Sequence, residues 1–283
     1  MSVKGKQIAL VVALVVIGGY LLSLPVKGLI KPKDERGTPE TTGRPAAAQA
    51  NINVQYASAQ ARQQLDAGLA QHIGQLETQL SSAKDPAAVQ KELAKAWDDV
   101  NQPAPSAFYY EEVAKQENSF AAWLITGEKF NDAVKFSTDT LAQPAYVQHA
   151  AQAFEQATKL DPKNLDAKTG LGIAYVNGGA SSPMQGISLL LDVVKSDPDN
   201  IKANLQLGLF SLQSGQYDKA VERFKTVTRV RPDVESYFYL AESYKQVGQK
   251  QLAVEAYEKC KELSGGDAAL SKKIDEYINE AKN

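Results

Sequence analysis

Apolar and small residues recur along the second half of the chain at steps that suit helices. Leu171-Gly172-x-x-Tyr175 returns as Leu207-Gly208-x-x-Ser211 and as Leu240-Ala241-x-x-Tyr244. A small residue follows in each unit at Gly186, Ala220 and Ala253, and a large one four positions on, at Leu190, Phe224 and Tyr257. Asp161-Pro162, Asp197-Pro198 and Arg231-Pro232 punctuate the units. Steps of three and four bring side chains onto one helical face, and the prolines stop the helix before them. Each period of about 34 residues therefore predicts two helices, with a small residue where they cross and a large one filling the space beside it. No run alternates with period two, so the fold class predicted is all-α.

Upstream the pattern loosens. Leu65, Leu69, Ile73, Leu76 and Leu80 share one face of a single long helix predicted from Val54 to Ser82, which either packs on the first repeat or dimerises. Packing is the preferred reading. Asp85-Pro86 begins a helix carrying Val89, Leu93 and Trp97, and Phe108, Tyr109, Val113 and Ala114 form a short one after it. A further unit starts near Phe120. Trp123, Gly127 and Phe130 match a first helix, and Ala150, Phe154, Ala157 and Pro162 a second. Between them lie about 11 residues more than the period allows, which predicts a longer helix or a loop around Thr138 to Pro144. A smaller insertion runs from Gly178 to Pro183. After Gly265-Gly266, residues 268–282 form a polar amphipathic helix whose Leu270, Ile274, Tyr277 and Ile278 would cover the open end of the stack.

The first residues read differently. Lys4 and Lys6 precede an uncharged stretch from Gln7 to Val26, rich in Ile, Ala, Leu and Val. About 20 residues at 1.5 Å each span roughly 30 Å, the hydrocarbon thickness of a bilayer. A cleaved signal would have a shorter apolar core and an Ala-x-Ala-like site, which the sequence lacks. A retained transmembrane helix is expected. Lysines flank both ends, so charge barely fixes orientation. A short basic N-terminus left in the cytoplasm puts the rest across a bacterial inner membrane, in the periplasm. Pro32, Gly37, Pro39, Gly43 and Pro45 then mark a flexible tether. The organisation is a tail at 1–6, a transmembrane helix at 7–26, a linker at 27–50 and a helical segment with a degenerate repeat at 51–119. Repeats follow at 120–164, 165–200, 201–233 and 234–266, with a capping helix at 267–283.

Composition narrows the function. The 283 residues are 43% hydrophobic with a formal net charge of −2, enough apolar content for a core and no basic excess for nucleic acid. The single Cys260 cannot form an internal disulfide. His72 and His149 are far apart, without a metal-ligand cluster, and read as surface or capping residues. Gly178-Gly179 and Gly265-Gly266 end helices rather than cradle phosphates. Asp98-Asp99 and Glu111-Glu112 are adjacent pairs that do not face one another on a helix, and read as solvated. No catalytic residue, metal or cofactor is expected.

In their landmarks and period these units resemble the tetratricopeptide repeat (TPR) family, and with the N-terminal anchor the chain is similar to bacterial envelope TPR proteins. The resemblance implies a right-handed α-solenoid and a concave wall lined by the first helix of each unit. The wall would carry Thr169, Ile173 and Val176, then Lys202, Leu205, Leu209 and Leu212, then Glu235, Phe238, Glu242 and Lys245. An apolar stripe edged by Lys and Glu suits an amphipathic helix or an extended peptide. The expected role is a membrane-anchored, non-catalytic scaffold holding a protein or peptide partner. The C-terminal helix or another subunit covering the stripe is the competing reading. Self-association as a structural element of an envelope assembly is one alternative. Another is the way the TPR domains of cytochrome c assembly factors hold an unfolded client.

Overall fold

The computed structural model describes residues 52–178 and 183–282, so the transmembrane helix and tether expected at 7–50 lie outside the described residues. Among the described residues there are thirteen α-helices and no strand. None of these helices is long and apolar enough to cross a membrane. They fall into two compact units, divided between Lys195 and Ser196.

The first unit holds α1 (Val54–Arg62), α2 (Ala67–Leu80), α3 (Pro86–Asp99), α4 (Pro103–Glu117), α5 (Phe120–Phe136), α6 (Gln143–Leu160), α7 (Leu165–Val176) and α8 (Pro183–Ser196). The single helix expected from Val54 to Ser82 is two. The chain turns after Arg62, and the Asp66 side chain accepts the Leu69 N–H at 2.9 Å, capping a new helix. Asp66 is a strong N-cap residue, and it outweighs the continuous apolar spacing across the break. Leu69 is left exposed, whereas Ile73 and Leu76 bury against Leu93 and Trp97 of α3. On α1, Ala57 and Ala61 are buried too, so the apolar faces of this segment pack within the chain. The insertion after Phe130 appears as both forms expected of it. α5 runs 17 residues, α6 runs 18, and Ser137 to Ala142 link them.

Local chemistry sets the helix ends. Side chains of Ser119, Asn164, Asn200 and Asp233 accept N–H groups in the first turns of α5, α7, α9 and α11. The turns after α7, α9 and α11 use Gly178, Gly215 and Gly248 at φ of +104°, +73° and +77°, a backbone state that costs other residues energy.

Packing within the hairpins follows the small-and-large rule. A Cβ added at Gly172 would stand 2.9 Å from Leu190, and one at Gly186 only 2.5 Å from the Gly172 carbonyl oxygen. The Phe154 ring is held between Gly127 and Gly170, where added Cβ atoms would lie 2.8 Å and 2.2 Å from it. These contacts need glycine because nothing larger fits between backbone and ring.

The second unit contains α9 (Ile201–Gln213), α10 (Tyr217–Val230), α11 (Val234–Gln246), α12 (Lys250–Leu263) and α13 (Ala268–Lys282). Gly208 faces Phe224, with an added Cβ 2.8 Å from the ring. Ala220, Phe224, Ala241, Ala253 and Tyr257 have no exposed surface. On α13, Leu270, Ile274 and Ile278 are buried in the same core, and Tyr277 packs against it. Cys260 is fully buried, its thiol 3.4 Å from the Val234 carbonyl, and burial pushes its pKa well above the usual thiol range.

One position breaks the rule. Second helices share a buried triad at spacing four and three: Ala150-Phe154-Ala157, Gly186-Leu190-Val193, Ala220-Phe224-Val227 and Ala253-Tyr257-Cys260. On α4 the same triad is Ala107-Glu111-Ala114, so a carboxylate fills the place of the large apolar residue. Glu111 is 6% exposed, not solvated.

Candidate partner-binding site

The expected concave-wall residues fall into three groups. Thr169, Leu212, Phe238 and Glu242 are buried and belong to the packing of their own units rather than to an open wall. Ile173, Val176, Leu205, Leu209, Glu235 and Lys245 are half-buried, and Lys202 is exposed. Thr169 and Val176 share α7 with Ile173 in the first unit; the remaining residues are on α9 and α11 in the second.

Each burial has a cause. The Thr169 hydroxyl donates to the Leu165 carbonyl at 2.7 Å, turning the side chain onto its own helix. Phe238 meets Tyr277 of α13 edge-on at 5.2 Å between centroids, and Tyr277 stacks on Tyr257 at 5.7 Å. The Tyr257 hydroxyl donates to the Glu242 carboxylate, which removes that charge from the surface. Burial, then the Glu242 charge and hydrogen bond, push the Tyr257 phenol far above its usual range. Lys245 pairs with Glu280 of α13 at 3.0 Å. The chain's own capping helix therefore occupies the α11 part of the wall. Sequence reasoning placed α13 at the end of the stack through Tyr277 but not its effect on Phe238 and Lys245. The aromatic and acidic residues one helical turn apart, Tyr277 and Glu280, were the available signal.

What remains on α9 is different. Leu205 and Leu209 lie one turn apart and pack against the core cluster with part of their surface still open. Lys202, one turn before Leu205, adds a cation at the edge of this strip. Such a strip can take up an apolar side chain of a partner, with a charge nearby to orient it.

The second polar cluster, missed from sequence, surrounds Glu111. His149 Nδ1 lies 2.8 Å from one carboxylate oxygen, and Lys115 Nζ 3.2 Å from the other. The imidazole stacks on Phe130 at 4.9 Å and meets Phe108 edge-on at 5.1 Å. His149 is thus the partner of a buried carboxylate, not a surface or capping residue. Burial raises the pKa of Glu111, but the His149 and Lys115 contacts outweigh it and leave the group below the ordinary glutamate value. Among the described residues no group of His, Cys, Asp and Glu is arranged to hold a metal ion.

Comparison with known proteins bears on the second unit first. Residues 205–268 match the family model described as tetratricopeptide repeat. A crystal structure of a thermophilic TPR protein from Thermus thermophilus superposes with a TM-score of 0.51 at 20% identity, over 67% of this chain and 97% of that one. The fold is that of TPR proteins. MamA from Desulfovibrio magneticus RS-1 gives a TM-score of 0.48 at 20% identity, over 65% of this chain and 98% of its own. YrrB, described as a TPR protein with an unusual peptide-binding site, gives 0.44 at 19% identity over 71% and 97%. No curated protein matches the chain.

Proposed function

We propose that the chain is a membrane-anchored TPR adaptor, without catalysis, that holds an amphipathic helix or extended peptide of a partner protein along α9. The observation that carries this reading is the half-open pair Leu205 and Leu209. The neighbouring Leu212 and Phe238 are sealed, and α13 takes up the α11 face, so in the second unit the α9 strip is what a partner side chain can reach. Support for the anchor comes from the uncharged Gln7–Val26 stretch, long enough to cross a bilayer, with lysines at its borders. The short basic N-terminus favours a periplasmic position for the TPR part, from a bacterial inner membrane.

A photoreactive residue at Leu209 in the full chain is expected to capture the partner in cells, whereas one at the exposed Leu252 of α12 is not. In a pull-down of the partner so identified, Leu205→Asp with Leu209→Asp should abolish its recovery while circular dichroism stays helical. Recovery that survives both charges, with native helicity, would refute the α9 surface.

A further inference from the structure

The link between α5 and α6 carries the most exposed large apolar side chain described in this protein, Leu141 at 77%. It belongs to the larger of the two insertions in the repeats. A leucine on a loose loop would mean little, but this link is fastened on both sides. The Asp139 carboxylate accepts the N–H groups of Leu141 at 3.0 Å and Ala142 at 3.3 Å, and it also accepts the Tyr56 hydroxyl of α1. The Gln143 amide donates to the Ser137 carbonyl at 3.1 Å, and Ala142 is fully buried. The Asp139 charge is consequently engaged, and the Leu141 side chain is held outward. At the other end of the link Phe136 is exposed, with the Lys135 ammonium 5.7 Å from its ring centroid. Leucine, an aromatic ring and a lysine make the set of side chains that settle at a lipid headgroup boundary.

Position supplies the second argument. The Tyr56–Asp139 bond ties this tip to α1, and Ile52 and Val54 pack in the cluster that holds Phe130 and Tyr146. The described chain therefore begins next to the tip. Preceding it are 51 residues that include the Gln7–Val26 stretch. On the tethered reading, the 24 residues at 27–50 would have a root-mean-square span of about 27 Å. Contacts too weak to bind a free protein then count, because the tether keeps the lipid surface at high effective concentration.

We propose that Leu141 and Phe136 form a lipid-resting tip that seats the first unit on the bilayer to which the N-terminal segment anchors the chain. The inference rests on the anchored reading and adds a face of the domain to it.

The test uses the full chain reconstituted into phosphatidylcholine–phosphatidylglycerol vesicles. Leu141→Cys carries a nitrobenzoxadiazole label, and Leu160→Cys, at the far end of α6, carries it as the comparison. Cys260 is buried, and the parent chain treated alike gives its background. The expected result is a blue shift and loss of emission to doxyl-labelled lipid at 141, with neither at 160. A label at 141 that reports water, on chains that float with the vesicles, overturns the tip and leaves the anchor standing. Chains that do not float with vesicles overturn the anchor and the tip together.

Discussion

Gly186 offers a sharp test because sequence and structure give opposite answers there. The corresponding residue of the neighbouring hairpins is Ala150, Ala220 or Ala253, so Gly186→Ala only restores what the other repeats carry. Alanine in a helix interior is favoured over glycine by about 1 kcal/mol, and on that ground alone the variant should be more stable. The geometry says otherwise. The new Cβ would stand 2.5 Å from the Gly172 carbonyl oxygen and 2.7 Å from the Val176 amide nitrogen. Both are backbone atoms of α7, and no rotamer change can move them. To reach ordinary contact α8 must retreat, which loosens the fully buried Leu190 and Val193. Overpacking of this kind costs about 1–3 kcal/mol, and rigid backbone partners put it at the upper end. After the helix-propensity gain the net loss is about 1–2 kcal/mol. Urea unfolding followed by circular dichroism measures it. Gly74→Ala is the internal comparison: it sits mid-helix in α2 with nothing within 4 Å of the added Cβ, and should gain up to about 1 kcal/mol. If Gly186→Ala matches or exceeds the parent, the close crossing of α7 and α8 is not as described.

Phe224→Ala empties a fully buried site and should cost about 3–5 kcal/mol, read as a lower urea midpoint with native helicity before the transition. His149→Ala leaves the Glu111 carboxylate buried with Lys115 alone, and should destabilise by about 1–3 kcal/mol, whereas Glu111→Leu restores the apolar triad and should be neutral or stabilising. The Glu111 pKa is lower folded than unfolded. Its contribution is therefore complete above the unfolded value of about 4.3 and is lost as pH falls through the folded one, so stability should fall less steeply with acid in Glu111→Leu than in the parent. Cys260 should resist a thiol reagent at neutral pH until denaturant is added, because burial both hides the sulfur and disfavours the thiolate; prompt labelling of folded protein would contradict the packing described.

The hairpins were legible because a close helix crossing writes itself into one chain position, as at Gly172, Gly208 and Ala241, whatever lies outside the hairpin. The break at Arg62 was not, because Leu65 and Leu69 keep helical spacing through it and the only punctuation is Asp66. Exposure at the expected wall residues was less legible still. Leu205 and Phe238 hold the same repeat position, yet only Phe238 is sealed, since Tyr277 of α13 comes to rest on it. Burial there depends on a helix some forty residues on, beyond any local pattern. Glu111 was readable in principle: aligning Ala107 and Ala114 with the later triads puts a carboxylate where Phe, Leu or Tyr belongs.

That substitution divides the array's responses to its surroundings. Three of the second helices, α6, α8 and α10, close their hairpins with hydrocarbon and aromatic surface, which urea loosens and sulfate tightens. The α4 helix closes with a carboxylate held by an imidazole and an ammonium, which acid addresses instead. Amide exchange followed under the two treatments should therefore report different first points of fraying, with acid acting first around α4.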